Sequence, residues 1–248
     1  MTDAPPLSSR DRTRAELVKV AAGLLAEGGP SAVTTRSVAQ AAGMQAPAIY
    51  RLFGDKVGLL AAVVEDGYAS YVGAKHVDEA ADPVADLRLG WDVHIDFGLD
   101  NPELFRLMHS GLSALAPEGS GASGSLQRGT AVLHTRVRRV AEAGRLAVAE
   151  PLAVDLVRAS ATGVVFTLLD GGIAPQHALR ESAWLALAAV ILTSPSSPSG
   201  RSGLTGQDSS AAPPAAVAAV TLGAALPTLD GFTPGERALL SELLARVN

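Results

Sequence analysis

Two short helical segments joined at a glycine constrain the fold of this chain more than any other feature. Residues 34–42 and 46–53 carry apolar side chains at helical spacing, and Gly43 lies between them. Glycine adopts the left-handed backbone that ends a helix, and small side chains near the join let the second helix cross closely. About three residues connect the segments, so the pattern predicts a helix-turn-helix within residues 33–60.

The rest of the chain is also predicted to be helical. Of its 248 residues 45 are alanine, the best helix former, whereas only 4% are aromatic and sheets favour aromatic and β-branched residues. Helical periodicity recurs from residue 12 to residue 192 and again from 215 to 247, with no repeat of 20–50 residues. The predicted fold class is all-α.

The chain is expected to consist of three parts. We expect a flexible tail over residues 1–9, a three-helix domain over 10–57 and a larger helical domain over 58–248. Within the larger domain, Ala116–Ser125 is predicted to be a flexible loop. Residues 194–214 hold 14 Ser, Pro or Gly among 21 and are predicted to be a disordered linker.

Charge is distributed unevenly between these parts. Residues 1–60 contain seven basic and five acidic side chains, a net charge of +2, so the remainder carries −5 − 2 = −7. This asymmetry excludes a uniformly basic coat, and it indicates that the small domain meets an anionic partner.

A short motif in the second helix gives the helix-turn-helix a family resemblance. Residues 49–53 read Ile-Tyr-Arg-Leu-Phe and are followed by Asp55 and Lys56. In this order and spacing, the run from Thr34 to Leu60 resembles the DNA-binding segment of TetR-family transcriptional regulators. The resemblance covers the first ~60 residues, and the later helices match only in length and general layout.

The resemblance implies roles for individual residues in binding double-stranded DNA. It assigns three roles: capping a helix and offering a hydroxyl to a phosphate, contacting base edges, and making further contacts to phosphates. The cap and hydroxyl residues are Thr34 and Thr35; the base-edge residues are Arg36, Gln45, Ala46 and Ala48; the phosphate contacts are Tyr50, Lys56, Arg51 and an N-terminal arm with Arg10, Arg12 and Arg14.

Two positions depart from the family pattern. Ser37 stands where an acidic residue often closes a capping box, so we expect a weaker cap on that helix. Gln45 replaces the usual serine-like cap of the second helix, and Pro47 sets its first turn instead. Neither change threatens the fold, but both leave the base assignments open.

The resemblance also implies that the larger domain dimerises and holds a small, apolar effector. Bulky or soft side chains are the pocket candidates, although they could equally fill the core. Small residues on two apolar helices are the dimer candidates, with internal packing as the alternative. The pocket candidates are Trp91, His94, Phe97, Phe105, Met108, His109, His134 and Phe166; the dimer candidates are Ala159, Gly163, Ala183, Ala186 and Ala189.

Three functions stay open on the residues alone. The first is a homodimeric, ligand-responsive regulator, more specifically a repressor, on a palindromic operator. The second is an architectural or interaction protein without effector, and the third is a helical enzyme. No catalytic, phosphate-loop or metal-ligand pattern supports the enzyme, and the absence of cysteine excludes thiolate zinc sites. We therefore expect no cofactor, no metal, no membrane segment and a soluble, cytoplasmic protein.

Overall fold

The fold is α-helical throughout the part of the chain that the structure describes. In this computed structural model the described residues are 8–74, 81–110, 122–193 and 214–247. They form helices and connections, with one isolated antiparallel bridge between Leu146 and Leu192 and no strand. The predicted fold class is confirmed.

Eleven α-helices are present in these ranges, and a short 3-10 turn over Leu226–Thr228 follows the tenth. Their bounds are α1 Ser9–Ala32, α2 Thr35–Ala41, α3 Ala46–Phe53, α4 Lys56–Ala74, α5 Pro83–Asp100, α6 Pro102–His109, α7 Ala122–Glu142, α8 Glu150–Leu169, α9 Gln176–Ile191, α10 Pro214–Ala225 and α11 Pro234–Ala245.

The predicted irregular segments fall partly outside the described ranges. The tail is described only from residue 8, and of the linker only residue 214 is described, where it starts α10. The loop predicted over Ala116–Ser125 is helical from Ala122 onward, and its earlier residues lie outside the described ranges. The composition of this loop was therefore a poor guide to where the helix begins.

The N-terminal arm predicted to carry Arg10, Arg12 and Arg14 is instead the first two turns of α1. Ser8 caps this helix, because its side chain accepts a hydrogen bond from the Asp11 N–H. The three arginines are exposed on helical backbone. Their spacing is therefore fixed by the helix rather than by a flexible segment.

Two compact units divide the chain. Among the described residues, the first unit contains 8–74, 96–110 and 122–130, and the second contains 81–95, 131–193 and 214–247. Helices α5 and α7 contribute residues to both units. The boundary predicted at residue 57 stays a prediction, and the first unit includes α4 and α6 in addition to the three N-terminal helices.

The core of the first unit forms where α1, α4 and α6 pack on one another. Helix α4 buries six consecutive residues, 59–64, so it is enclosed on all sides rather than along one stripe. Helices α2 and α3 pack together, α2 on α1 and α3 on α4. The two short helices are thereby mounted on a rigid apolar base.

A buried ion cluster joins α5 to α7 in the second unit. The Asp86 side chain is 1% exposed, and its Oδ2 accepts hydrogen bonds from Arg136 Nε at 3.2 Å and Arg139 Nη1 at 3.0 Å. The Arg136 guanidinium lies against Gly90, where a Cβ would be 2.3 Å from Nη1. Buried charges of this kind are tolerated only when paired.

A second cluster joins α5 to α9. Arg88 pairs with Asp92 at 2.7 Å and with Glu181 at 2.9 Å. Its guanidinium carbon also lies 5.4 Å and 5.1 Å from the ring centroids of Trp91 and Trp184. The cation is therefore enclosed by two carboxylates and two aromatic rings, which fixes the two helices to each other.

Candidate nucleic-acid interface

The start of α2 is held by a complete capping box. The Ser37 N–H donates to Thr34 Oγ1 at 3.0 Å, and the Thr34 N–H donates to Ser37 Oγ at 2.9 Å. The Ser37 hydroxyl also lies 2.7 Å from the Ala32 carbonyl oxygen. The capping box is therefore complete with serine in place of an acidic residue, and the expectation that this cap is weaker stays a prediction.

The turn between α2 and α3 has the geometry that Gly43 predicts. Gly43 has a φ of +64°, in the left-handed region. The N–H groups of Gly43 and Met44 donate to the Gln40 and Ala39 carbonyls at 3.2 Å and 2.8 Å. This pair of hydrogen bonds is a Schellman motif, and it sets the direction in which α3 leaves α2.

Gln45 lies exposed at the start of α3. Its backbone occupies the cap position, but its side chain makes no capping hydrogen bond. Pro47 stands in the first turn, where a missing N–H costs nothing. The Gln45 amide is therefore not occupied by the helix end, and the half-buried Ala46 and Ala48 follow it.

Tyr50 is exposed on α3 and faces the start of α2. Its side chain is 54% exposed, unusual for an aromatic residue. The Thr35 hydroxyl donates to the phenolic oxygen across 3.3 Å, which leaves the phenolic proton directed elsewhere. The two hydroxyls therefore form one polar patch at the N-terminus of α2, where the helix dipole favours an anion.

Lys56 begins α4 and reaches back to α1. Its Nζ donates to the Pro30 carbonyl at 2.8 Å. This carbonyl lies just beyond Gly29, whose φ of +66° interrupts α1. An ammonium has three donors, so the bond to Pro30 holds Lys56 in place and leaves two for another partner.

The basic side chains of residues 8–60, which we call the helix-turn-helix surface, have no carboxylate partners among the described residues. None of the seven basic side chains of residues 8–60 forms an ion pair within the described ranges. Arg36 and Arg51 are exposed, one on each helix of the helix-turn-helix. Arginines of the second unit are different, because eight of its nine described arginines pair with a carboxylate: Arg88, Arg136, Arg138, Arg139, Arg145, Arg158, Arg180 and Arg246.

The predicted pocket residues fall into two groups, one in each unit. In the first unit Phe105 and Met108 are buried, and Phe97 stacks on Tyr71 with 4.3 Å between ring centroids. His109 is exposed, with Nδ1 2.9 Å from the Phe105 carbonyl oxygen.

In the second unit Trp91 is 1% exposed, and no hydrogen-bond partner serves its Nε1 in the described part of the chain. His94 and Phe166 are half-buried, whereas His134 is exposed. Buried N–H groups are normally hydrogen-bonded, so a water or a ligand is the expected partner of this indole N–H.

The predicted dimer residues lie on the surface of α8 and α9. Ala159, Gly163, Ala186 and Ala189 are exposed, and Ala183 is half-buried. Large apolar side chains are exposed on the same two helices: Leu152, Leu185 and Val190. Helices α8 and α9 pack on each other, so the exposed side chains form the outer faces of one helix pair.

Two carboxylates outside this surface have lowered pKa values. The Ala85 N–H lowers the pKa of Asp82, as do Arg145 and the Val84 N–H, although burial opposes them. The Thr233 N–H and hydroxyl lower the pKa of Glu236, which closes a capping box on α11. No group of histidine and acidic residues that could hold a metal occurs within the described residues.

Sequence reasoning did not find the ion clusters. Asp86 and its two arginine partners are 50 and 53 residues apart, and no periodic signal links such positions. It also missed Gly58, where a Cβ would lie 2.0 Å from the Phe53 carbonyl oxygen. The glycine in the first turn of a helix was a readable signal of close backbone contact.

The N-terminal part of the chain matches a known family. Residues 17–63 match the sequence model of the bacterial regulatory proteins, tetR family. These residues contain most of α1, both helices of the helix-turn-helix and the buried start of α4. The resemblance predicted from the sequence is confirmed. No curated protein matches the chain significantly.

Solved structures share the fold over most of the chain. The TetR family regulator PfmR from Thermus thermophilus is 24% identical, with a TM-score of 0.55 over 69% of this chain and 96% of that one. A protein of unknown function from Rhodococcus sp. RHA1 is 22% identical, with a TM-score of 0.63 over 76% and 99%. FadR from Bacillus subtilis, in complex with stearoyl-CoA, is 15% identical, with a TM-score of 0.57 over 70% and 97%.

Proposed function

We propose that this chain, which carries the DNA-binding domain of the TetR family of bacterial transcriptional regulators, is a repressor that binds a palindromic operator as a homodimer. The observation that carries the proposal is the set of exposed cations on α1, α2 and α3 that have no carboxylate partner among the described residues. Cations that are not neutralised within the protein remain available to the phosphates of DNA, and they release counterions when they bind.

The two helices of the motif supply different parts of the contact. We assign phosphate contacts to Thr34, Thr35, Tyr50 and Lys56, whose hydroxyl and ammonium groups can bind phosphates, and such contacts position the protein without reading sequence. Arg36 and Gln45 carry side chains that pair with guanine and adenine edges in the major groove. We assign sequence preference to these two residues, and to Ala46 and Ala48 through contact with thymine methyl groups.

The dimer is proposed from the exposed apolar faces of α8 and α9. Helix α8 is long and apolar enough to cross a membrane, and only 33% of its most apolar stretch is buried within the chain. Its small residues Ala159 and Gly163 permit close approach of another helix, and Asp155 and Arg158 interrupt the apolar surface with an exposed ion pair. We therefore propose a second copy of this helix pair, rather than lipid, as the cover.

Two-fold pairing also serves recognition. One recognition helix spans too few base pairs for useful specificity, whereas a dimer places two identical recognition helices in successive major grooves. An effector bound by the larger domain would favour a dimer in which the distance between the two DNA-binding domains no longer matches successive major grooves. Effector binding would thus shift the population from the DNA-binding state to one that does not fit the operator.

The effector is proposed to bind in the second unit beside Trp91. The buried Nε1 of Trp91 is a hydrogen-bond donor that an otherwise apolar ligand could use. A small molecule with a long apolar chain suits the fold, since the B. subtilis neighbour was solved with stearoyl-CoA. The chain has only two tryptophans, Trp91 and Trp184, whose ring centroids are 5.7 Å apart.

In-vitro selection tests DNA binding directly. Purified chain is incubated with a pool of random duplexes at low salt, and bound duplexes are amplified and sequenced. We expect a roughly palindromic site, and footprinting on it should show two protected half-sites about 10 base pairs apart. If the chain enriches no duplex from the pool, DNA binding through this surface is refuted.

Two variants test the assignment of base contacts on the selected duplex. Gln45→Ala and Arg36→Gln should each change the recovered sequence at specific positions, by about 1–3 kcal/mol of discrimination per base pair. Gln40→Ala, an exposed change on α2 away from the start of α3, is the control and should return the original site. An unchanged site in both variants would remove these residues from base recognition.

Tryptophan fluorescence tests the effector. Titration with stearoyl-CoA and with free long-chain fatty acids should change emission, and Trp91→Phe should abolish most of that change. An effector-free architectural protein would show no change with any compound. A compound that is consumed rather than bound would instead favour the helical enzyme.

A further inference from the structure

Phe53 is the residue at which the recognition helix is fastened to the rest of the first unit. It is the last residue of α3, three positions after Tyr50 and two after Arg51. Its side chain is half-buried, and the Gly54 N–H after it closes the helix on the Tyr50 carbonyl at 2.9 Å. Movement of Phe53 would therefore move the residues assigned to DNA.

The backbone of α4 holds Phe53 from one side. A Cβ on Gly58 would lie 2.0 Å from the Phe53 carbonyl oxygen, so the two backbones are in direct contact. The Gly58 N–H donates to Asp55 Oδ1 at 2.8 Å, which fixes the first turn of α4 at this point. This contact sets the position of the carbonyl end of α3, but it leaves the phenyl ring to be held from elsewhere.

The side chain of Arg14 on α1 lies over that ring. Its guanidinium carbon is 5.2 Å from the Phe53 ring centroid, within the range of a cation–π contact. Arg14 is exposed and has no carboxylate partner among the described residues, as is true of Arg12 one half-turn earlier on the same helix. No ring contact accompanies Arg12 in the described ranges, so the two arginines differ in what they touch rather than in charge.

We propose that Arg14 is a positioning residue, which orients the recognition helix through the ring of Phe53, and not the phosphate contact that its place in the sequence suggests. The proposal rests on the proposed function, since it concerns how α3 meets DNA. A guanidinium held over a ring loses freedom to follow a phosphate. The ring in turn gains a fixed partner on α1.

A double-mutant cycle on the selected duplex tests this role. Arg14→Gln, Phe53→Leu and their combination are measured by fluorescence anisotropy at four salt concentrations, on the selected duplex and on a scrambled duplex of equal length. We expect Arg14→Gln to weaken binding to the selected duplex about 2–5-fold, the strength of one exposed cation–π contact. The slope of log affinity against log salt should not change, and the combined variant should bind no more weakly than Phe53→Leu.

Arg12→Gln is the matched control. As a phosphate contact in both protomers of the dimer, Arg12 should reduce the magnitude of the salt slope by about 1.8 when removed, and its loss should weaken both duplexes equally. Arg14→Gln should instead reduce the ratio of selected to scrambled affinity, because a misplaced helix loses base contacts first. A change that only lowered the stability of the domain would leave that ratio intact, and urea unfolding of each variant measures stability separately.

The outcomes separate the two proposals. If Arg14→Gln lowers the salt slope as much as Arg12→Gln does, and costs the same in the Phe53→Leu background, Arg14 is a phosphate contact and the positioning role is overturned. If the wild-type chain binds neither duplex, the proposed function fails first, and the positioning role fails with it.

Discussion

The basic side chains of the helix-turn-helix surface and those of the second unit are used in opposite ways. Arg36 and Arg51 on α2 and α3 are exposed and meet no carboxylate within the described residues. Arg136 and Arg88 in the second unit are enclosed by carboxylates and rings of their own unit. The same residue type therefore serves an external partner in one region and internal packing in the other.

Net charge is consequently a weaker guide to DNA binding than the pairing of charges. A net charge of −5 suggests a protein that avoids DNA. Most described arginines of the second unit are already neutralised by carboxylates, so they contribute little to a field at a distance. The cations of residues 8–60 are few, but all of them except Arg14, which lies over the Phe53 ring, remain available to an anion.

The largest effect is expected where a paired charge is left alone in the interior. Asp86→Asn removes the carboxylate shared by Arg136 and Arg139, and it should lower the free energy of unfolding by about 3–5 kcal/mol. Urea unfolding followed by circular dichroism measures it. Asp155→Asn breaks the exposed pair with Arg158 and should cost no more than about 1 kcal/mol. Equal costs for the two variants would show that the Asp86 cluster is not structural.

A smaller effect is expected where the recognition helix meets α4. Gly58→Ala places a methyl group against the Phe53 carbonyl, and it should destabilise the fold by about 1–3 kcal/mol and weaken DNA binding. Gly23→Ala is the control, because nothing lies within 4 Å of its Cβ and α1 should gain about 0.5–1 kcal/mol. Thermal unfolding compares the two, and a neutral Gly58→Ala would disprove the close contact.

The phosphate contacts should show a still smaller effect that is uniform across sequences. Tyr50→Phe combined with Lys56→Ala should weaken binding to every duplex about tenfold for each protomer of the dimer, since each lost contact contributes about 0.5–1.5 kcal/mol. The magnitude of the salt slope should fall by about 1.8, because each protomer loses one cation. Anisotropy on the selected and scrambled duplexes measures both quantities. A change in base preference would contradict the assignment.

The smallest effect concerns an exposed charge of the second unit and depends on pH. The pKa of Asp82 is lowered by the Ala85 N–H first, and also by Arg145 and the Val84 N–H, against burial. A carboxylate with a lowered folded pKa stabilises the fold above its ordinary value of 3.8, and this stabilisation is lost as the pH falls through the folded pKa.

The corresponding variant is Asp82→Asn. It should be less stable than wild type at pH 7, and the difference should shrink toward zero as the pH is lowered below 3.8. Urea unfolding at a series of pH values gives the comparison. A difference that stays constant from neutral to acidic pH would show that the charge of Asp82 contributes nothing.

The helix-turn-helix was easier to predict from the sequence than the second unit for a physical reason. Gly43, the Thr34 cap and the Tyr50 motif act over a few residues, so local spacing reveals them. Even so, the sequence did not reveal that Ser37 completes the capping box, because a short side chain reaches its partners only through the geometry of the turn. Asp86 and its arginine partners meet only after α5 and α7 pack, and no local pattern encodes that contact.

Arginines of residues 8–60 that have no carboxylate partner are expected to bind DNA phosphates. Arginines of the second unit that pair with a carboxylate are not. The salt dependence of binding to the selected duplex in two double variants tests this difference most directly. Each substitution removes a cation from both protomers of the dimer, so Arg12→Gln with Arg51→Gln should reduce the magnitude of the slope of log affinity against log salt by about 3.6, or about 0.9 for each lost phosphate contact. Arg145→Gln with Arg246→Gln, which removes two exposed arginines that have carboxylate partners, should leave the slope unchanged. Equal slopes in the two variants would contradict the assignment of DNA binding to the unpaired cations.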